Sequence, residues 1–112
     1  MQQLKSETIQ KLEKAVLDMK LDGSYYYINY LTESTRIFVD EMKNNKLTKE
    51  DFCKCLDIPV DHYYGLLTGK KYNSIEERSR LLFMLGYDTE FSFKKIEGKE
   101  WRFLMIWKVC LV

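Results

Sequence analysis

The segment from Leu47 to Gly86 constrains the fold of this chain more than any other part of it. Two hydroxyl residues within it, Thr48 and Ser74, are each followed three positions later by an acidic residue, and this spacing is typical of a capping box at a helix start. Glycines and turn residues follow each apolar stretch closely, so the helices must be short. We predict three of them in this segment: Lys49–Leu56, Val60–Thr68, and a third that Ser74 caps and Gly86 stops.

The connection between the first two of these helices leaves almost no room for a loop, since only Asp57, Ile58 and Pro59 lie in it. Aspartate tolerates the left-handed backbone conformation that so tight a turn often requires. Proline presets φ for the first turn of the helix that follows. Two helices joined this closely meet at a steep angle, and the second of them is presented to the solvent.

Residues 4–21 have the pattern of an amphipathic helix that ends at Gly23. Its apolar positions recur every three or four residues: Ile9, Leu12, Val16 and Met19. This stripe either packs on its own domain or forms a short seam with a second copy of the chain. Packing is favoured, because two heptads are short for a self-sufficient coiled coil.

The aromatic run at 25–31 predicts a strand, because tyrosine and β-branched residues are enriched in strands. The rival interpretation is a helix that runs on into Arg36, since no helix breaker follows before Asn44. In either case a helix is expected from Thr32 or Ser34 to Asn44. Sequence alone leaves the two interpretations of the aromatic run open.

After Gly86 the hydrophobic period changes from that of a helix to that of a strand. Apolar and polar residues alternate over 87–93, a turn is expected at 97–99, and Trp101–Val112 is a nearly continuous apolar run. These features predict an antiparallel hairpin. The fold class expected is therefore α+β, mostly α, with three parts: an N-terminal extension 1–33, a helical domain 34–86 and a β-hairpin 87–112.

Composition excludes several classes of protein. A net charge of +1 gives no global attraction to nucleic acid or anionic membranes, and an odd cysteine count fits a reducing cytoplasm better than a disulfide framework. The start of the chain is charged rather than a secretory leader, and Phe103–Val112 is too short to span a bilayer. With one histidine, no nucleophile–base pair and no glycine-rich phosphate loop, we expect no enzyme, metal or cofactor.

The order of these features resembles the Cro/C1-type (XRE-family) helix-turn-helix domain over Ser34–Gly86. The resemblance rests on the order and spacing of several short pieces: 47–53, 56–58, Tyr63 with 66–70, and Ser74-Ile75 leading to 85–86. It implies a lambda-repressor-like core and a dimeric DNA-binding transcriptional regulator of the phage, mobile-element or antitoxin type. In antitoxin-type members strands from two subunits pair across a dimer axis, so the resemblance also implies that the hairpin 87–112 is a dimerisation element. The residues that it implies at double-stranded DNA are Thr48, Lys49, Pro59, Val60, Asp61, His62, Tyr64, Gly65, Lys70, Lys71 and Asn73.

The presented helix lacks the side chains that DNA-binding helices of this kind usually direct at bases. Arginine or lysine on guanine and asparagine or glutamine on adenine dominate direct readout, and residues 59–68 contain none of these four types. Lys49, Lys70 and Lys71 favour phosphate contact instead. The alternative function is a protein-binding inhibitor or adaptor on the same scaffold, such as a phage protein aimed at a host defence enzyme, because aromatic surface favours protein interfaces.

Overall fold

The computed structural model describes residues 2–96, with side-chain exposure from Ser6 onward. Within this range five α-helices follow one another: α1 (Gln2–Asp22), α2 (Ser24–Asn44), α3 (Lys49–Leu56), α4 (Tyr63–Thr68) and α5 (Ile75–Met84). A 3-10 turn at Val60–His62 leads directly into α4. Residues 87–96 have no regular secondary structure. The helix expected at Val60–Thr68 is thus a 3-10 turn continued by a short α-helix.

The described residues are helical and contain no strand, so the predicted α+β fold with its β-sheet is wrong. The strand expected at 25–31 is instead the first part of α2. The reason is tertiary, because a helix brings Tyr27 and Tyr30 to the side that faces α5 and the loop before it. There the Tyr27 hydroxyl donates to the Asn73 carbonyl oxygen at 2.6 Å, and the Tyr30 hydroxyl lies 2.6 Å from Ser79 Oγ. The rival interpretation, one continuous helix, is confirmed.

The strand expected at 87–93 is also absent from the structure. Its aromatic side chains are exposed, with Phe91 at 62% and Phe93 at 98% of their accessible surface. A strand is stable only beside a hydrogen-bonded neighbour, and alternation in sequence does not supply that neighbour. No strand within residues 2–96 pairs with this segment. The second predicted strand, Trp101–Val112, lies outside the described residues.

The local start and turn signals of the central helices are confirmed. Thr48 Oγ1 accepts a hydrogen bond from the Asp51 backbone N–H at 3.1 Å, and Ser74 Oγ accepts one from the Glu77 N–H at 3.0 Å. Asp57 adopts the left-handed conformation, with φ 55° and ψ 46°. These short-range interactions need no distant partner, which is why sequence predicts them well.

Helices α2 to α5 pack around one apolar core. Its buried members come from all four helices and from the α3–α4 connection: Phe38, Phe52, Cys53, Leu56, Ile58, Leu66, Leu81 and Leu82. The Phe52 ring meets the rings of Phe38 and Tyr63 nearly edge-on, at centroid distances of 6.2 and 6.3 Å. Aromatic pairs favour this geometry. The core therefore supports the α3–α4 pair from beneath.

Arg78 is buried inside this core. Its Nε donates to Ser34 Oγ at 2.6 Å and its Nη2 to Thr35 Oγ1 at 2.7 Å, both on α2. Its Nη1 donates to the carbonyl oxygens of Leu66 at 3.0 Å and Tyr72 at 3.1 Å. Burial lowers the pKa of the guanidinium, and these neutral acceptors replace the water that it has lost. One side chain thereby ties α2, α4, α5 and the loop after α4 together.

Helix α1 lies apart from the core, and its apolar stripe is exposed to solvent. The exposed fractions are 46% for Ile9, 62% for Leu12 and 37% for Val16, while Met19 is half-buried. The helix joins α2 through Gly23, whose φ of 85° favours glycine. The expected packing of this stripe on its own domain is therefore not found among the described residues, and the seam with a second copy stays a hypothesis.

Candidate nucleic-acid interface

The candidate interface is the surface formed by the start of α3, the presented segment 59–68 and the loop 69–74. The Thr48 cap fixes the first turn of α3, which begins with Lys49. Lys49 Nζ lies 5.4 Å from the centroid of the Tyr64 ring on α4, within the range of a cation–π interaction. This contact joins the first turn of α3 to α4 and holds an ammonium group beside an exposed aromatic ring.

The outer face of the presented segment consists of its exposed side chains: Pro59, Val60, Asp61, Tyr64 and Thr68. Tyr64 is 66% exposed and Val60 is 40% exposed. The Tyr63 ring meets the Tyr64 ring edge-on, at a centroid distance of 5.1 Å. The Tyr64 ring therefore contacts both the Tyr63 ring and the Lys49 ammonium group. The outer face is thus apolar and acidic, and the basic groups lie at its borders.

His62 is half-buried rather than part of the outer face. Its Nδ1 lies 2.7 Å from the Tyr72 hydroxyl, and the two ring centroids are 5.6 Å apart. This hydrogen bond occupies one ring nitrogen and connects the 3-10 turn to the loop after α4. His62 therefore positions the loop, and its contact with DNA stays a prediction.

The absence of a side chain at Gly65 leaves room for the side chain of Lys71. A Cβ atom at this position would lie 2.9 Å from Cγ and Cδ of Lys71 and 3.0 Å from its Cβ. The Lys71 backbone N–H also donates to the Gly65 carbonyl oxygen at 2.9 Å. Because glycine has no side chain, the aliphatic stem of the exposed residue Lys71 can lie against α4 at Gly65.

The loop after α4 is held at several points. It begins at Gly69, whose φ is 76°, and Lys70 and Lys71 are exposed in it. Tyr72 has a φ of 52° and its carbonyl oxygen accepts the hydrogen bond from Arg78. Asn73 is exposed, and its backbone carbonyl oxygen accepts a hydrogen bond from the Tyr27 hydroxyl. Both lysines therefore project from a backbone that the core anchors.

The lysines of the interface have no acidic partner of their own within residues 2–96. The ion pairs found there join Arg36 to Glu33 and to Asp40 on α2. Lys49, Lys70 and Lys71 are thus available to an anionic ligand, whereas Asp61 on the outer face repels one. The arrangement suits a polyanion whose charges lie at the borders of the presented segment.

Sequence reasoning missed the residues that hold this surface in place. Arg78, Tyr27 and Tyr72 form its supporting hydrogen bonds, yet none of them has a motif around it. The one signal in the sequence was the aromatic run at 25–31, which does not identify the residues that it contacts. Supporting residues of this kind become visible only when the helices are placed against each other.

Metal-ligating and thiol side chains are the other candidate chemistry among the described residues. No group of three or more His, Cys, Asp and Glu side chains there is arranged to hold a metal ion. Cys53 is buried, which raises the pKa of its thiol and keeps it protonated, while Cys55 is exposed. No helix among the described residues is long and apolar enough to cross a bilayer.

No protein-family model matches the chain, and comparisons with curated proteins and with solved structures found no match. The helix-turn-helix resemblance therefore stays an expectation based on the order and spacing of sequence features. Function has to be argued from the surface itself.

Proposed function

We propose that the protein is a cytoplasmic DNA-binding transcriptional regulator of the phage, mobile-element or antitoxin type, which contacts double-stranded DNA through the candidate interface. The observation that carries the proposal is the placement of two lysines against one presented helix. Lys49 reaches it from α3 beside Tyr64, and Lys71 reaches it from the following loop across Gly65. Lysines that lack acidic partners bind phosphates and release the counterions of DNA, which drives association.

The division of chemistry on this surface fits that of a DNA-binding helix. Contacts to phosphates position a protein on the duplex, and contacts to base edges specify the sequence. The exposed lysines border the presented segment, while Val60, Asp61 and Tyr64 form its outer face. A helix bordered in this way enters the major groove with its lysines directed at the two backbones.

The proposal is tested by the salt dependence of binding to a fluorescein-labelled duplex, measured by fluorescence anisotropy. Wild-type affinity should fall linearly with the logarithm of salt concentration, and the variant Lys70→Gln/Lys71→Gln should bind more weakly. The slope should decrease by about one unit for each lysine that contacts a phosphate. The matched control is Lys43→Gln/Lys94→Gln, which removes the same charge at two exposed positions outside the candidate interface and outside α1. Equal losses in both variants, or no binding by wild type at about 50 mM salt, contradict the proposal.

The regulator is proposed to act as a homodimer, and the α1 stripe is the described surface that best suits a second copy. The stripe is apolar and exposed, and α1 carries four lysines and four acidic residues, so two copies meet without net repulsion. A two-fold dimer reads two half-sites about 34 Å apart. Footprinting on the promoter of the protein's own gene should therefore show a symmetric protected region.

A second candidate function is a protein-binding inhibitor or adaptor on the same scaffold. The exposed apolar stripe of α1 and the exposed ring of Tyr64 favour it, because aromatic and aliphatic surface is typical of protein interfaces. It predicts no duplex binding even at low salt. It also predicts a stoichiometric protein complex that is lost in Leu12→Asp or Tyr64→Ala and retained in the lysine variants. The duplex titration and a pulldown therefore separate the two functions.

A further inference from the structure

The outer face of segment 59–68 lacks the side chains that usually distinguish bases by paired hydrogen bonds. Arginine, lysine, asparagine and glutamine supply most such contacts in the major groove, and the segment contains none of them. Lys49, Lys70 and Lys71 lie at its borders, where they suit phosphates. A base preference of this surface must therefore come from a different kind of contact.

The major groove offers one apolar group for such a contact, the 5-methyl group of thymine. Val60 and Tyr64 present the apolar surface of the outer face, with exposed fractions of 40% and 66%. The edge-on contact with Tyr63 and the cation of Lys49 restrain the Tyr64 ring before any ligand arrives. Apolar surface that is exposed and already ordered gains free energy when it covers a methyl group, at little cost in side-chain entropy.

Asp61 lies next to Val60 on the same exposed face and adds a hydrogen-bond acceptor to it. A carboxylate only accepts hydrogen bonds, so it is compatible with the amino groups of adenine and cytosine and not with the O6 acceptor of guanine. Every base pair presents one such amino group in the major groove, on adenine or on cytosine. Asp61 therefore does not distinguish A·T from G·C pairs, and the preference depends on Val60 and Tyr64.

We infer that Val60 and Tyr64 give this interface a preference for A·T pairs by contacting thymine 5-methyl groups. The inference rests on the proposed DNA binding and adds the class of site that the protein selects. Val60 and Tyr64 are then specificity-determining residues, whereas the three lysines supply affinity that is independent of sequence. Removal of the methyl group alone from DNA separates these two contributions.

The test compares binding to an alternating d(A-T) duplex with binding to an alternating d(A-U) duplex, because deoxyuridine lacks the methyl group and keeps the pairing edge and charge. Alternation presents a pyrimidine in every register, so the test needs no known operator. We expect the thymine duplex to bind about fourfold more tightly for each methyl group that is covered. Val60→Ala/Tyr64→Ala should bind both duplexes equally. Phe83→Ala, which removes a 71% exposed ring from α5, should retain the discrimination.

Each outcome separates the inference from the function on which it rests. Equal binding of the two duplexes by the wild type, with normal salt dependence, overturns the inference and leaves DNA binding intact. A preference for thymine that persists in Val60→Ala/Tyr64→Ala also overturns it, because the preference then arises from duplex deformability. Failure to bind either duplex at low salt contradicts the proposed function, and the inference falls with it.

Discussion

The guanidinium of Arg78 connects the loop that carries Lys70 and Lys71 to the helix that this loop follows. It donates to the Tyr72 carbonyl in the loop and to the Leu66 carbonyl in α4. A buried cation without a carboxylate is costly unless hydrogen bonds replace its water, and here four neutral acceptors do so. The positions of the surface lysines thus depend on a residue that touches no ligand.

Replacement of Arg78 by methionine should lower the free energy of unfolding by about 3 kcal/mol, because two carbonyl oxygens remain buried without a donor. Arg78→Lys should recover little of this loss, since one ammonium group cannot reproduce the planar fork of donors. Urea denaturation followed by circular dichroism measures both variants. Arg80→Met, exposed on the same helix, is the control and should change stability by no more than about 0.5 kcal/mol. A wild-type unfolding free energy in Arg78→Met would rule out the anchoring role.

At the scale of the elements, one unit is formed by α3, the 3-10 turn and α4. Contacts hold this unit together both at the turn and across the helix pair. The Ile58 N–H donates to the Cys53 carbonyl oxygen at 3.0 Å where the chain turns, and Lys49 reaches Tyr64 across the pair. The loop after α4 then returns along the helix, with Lys71 against Gly65. The surface proposed to bind DNA is therefore preorganised, which reduces the entropy lost on association.

Gly65→Ala tests this unit. Alanine raises helix propensity by up to about 1 kcal/mol, which offsets the clash with Lys71, so stability should stay within about 1 kcal/mol of wild type. The displaced Lys71 should nevertheless lose its phosphate contact, and duplex affinity should fall as far as it does in Lys71→Ala. Anisotropy and urea denaturation measure the two effects separately. In the double variant Gly65→Ala/Lys71→Ala, an affinity loss equal to the sum of the single losses would show that the two residues act independently.

The features that sequence predicted correctly are those with short-range causes. The caps at Thr48 and Ser74 and the turn at Asp57 involve neighbours within a few residues, so their patterns carry the necessary information. The composition of the aromatic run at 25–31 leaves strand and helix both open, because its conformation is decided by partners far along the chain. The role of Gly65 was missed for the same reason, since only the folded loop brings Lys71 over it.

At the scale of the whole molecule, the burial of one thiol and two tyrosine hydroxyls makes the free energy of unfolding depend on pH in the alkaline range. Burial is the main cause that raises the pKa of the Cys53 thiol above 9.0 and the pKa values of the Tyr63 and Tyr72 hydroxyls above 10.0. These groups lie in α3, in α4 and in the loop that Arg78 anchors, so together they report on the packing of the helical unit. In the unfolded chain each of them returns to its ordinary pKa.

The sign of the effect follows from which state keeps its protons. Between the ordinary and the raised pKa the folded protein binds more protons than the unfolded chain, so the free energy of unfolding falls as pH rises. We expect stability to be insensitive to these groups below pH 9.0, to begin falling above it, and to fall more steeply above pH 10.0. Urea denaturation at a series of pH values measures this dependence.

In Cys53→Ala the decline should begin only near pH 10.0, where the tyrosines start to titrate. That variant is less stable overall because of its cavity, so the comparison concerns the pH at which the decline begins. A free energy of unfolding that stays constant or rises through pH 10.0 would show that the helical unit does not shield these groups.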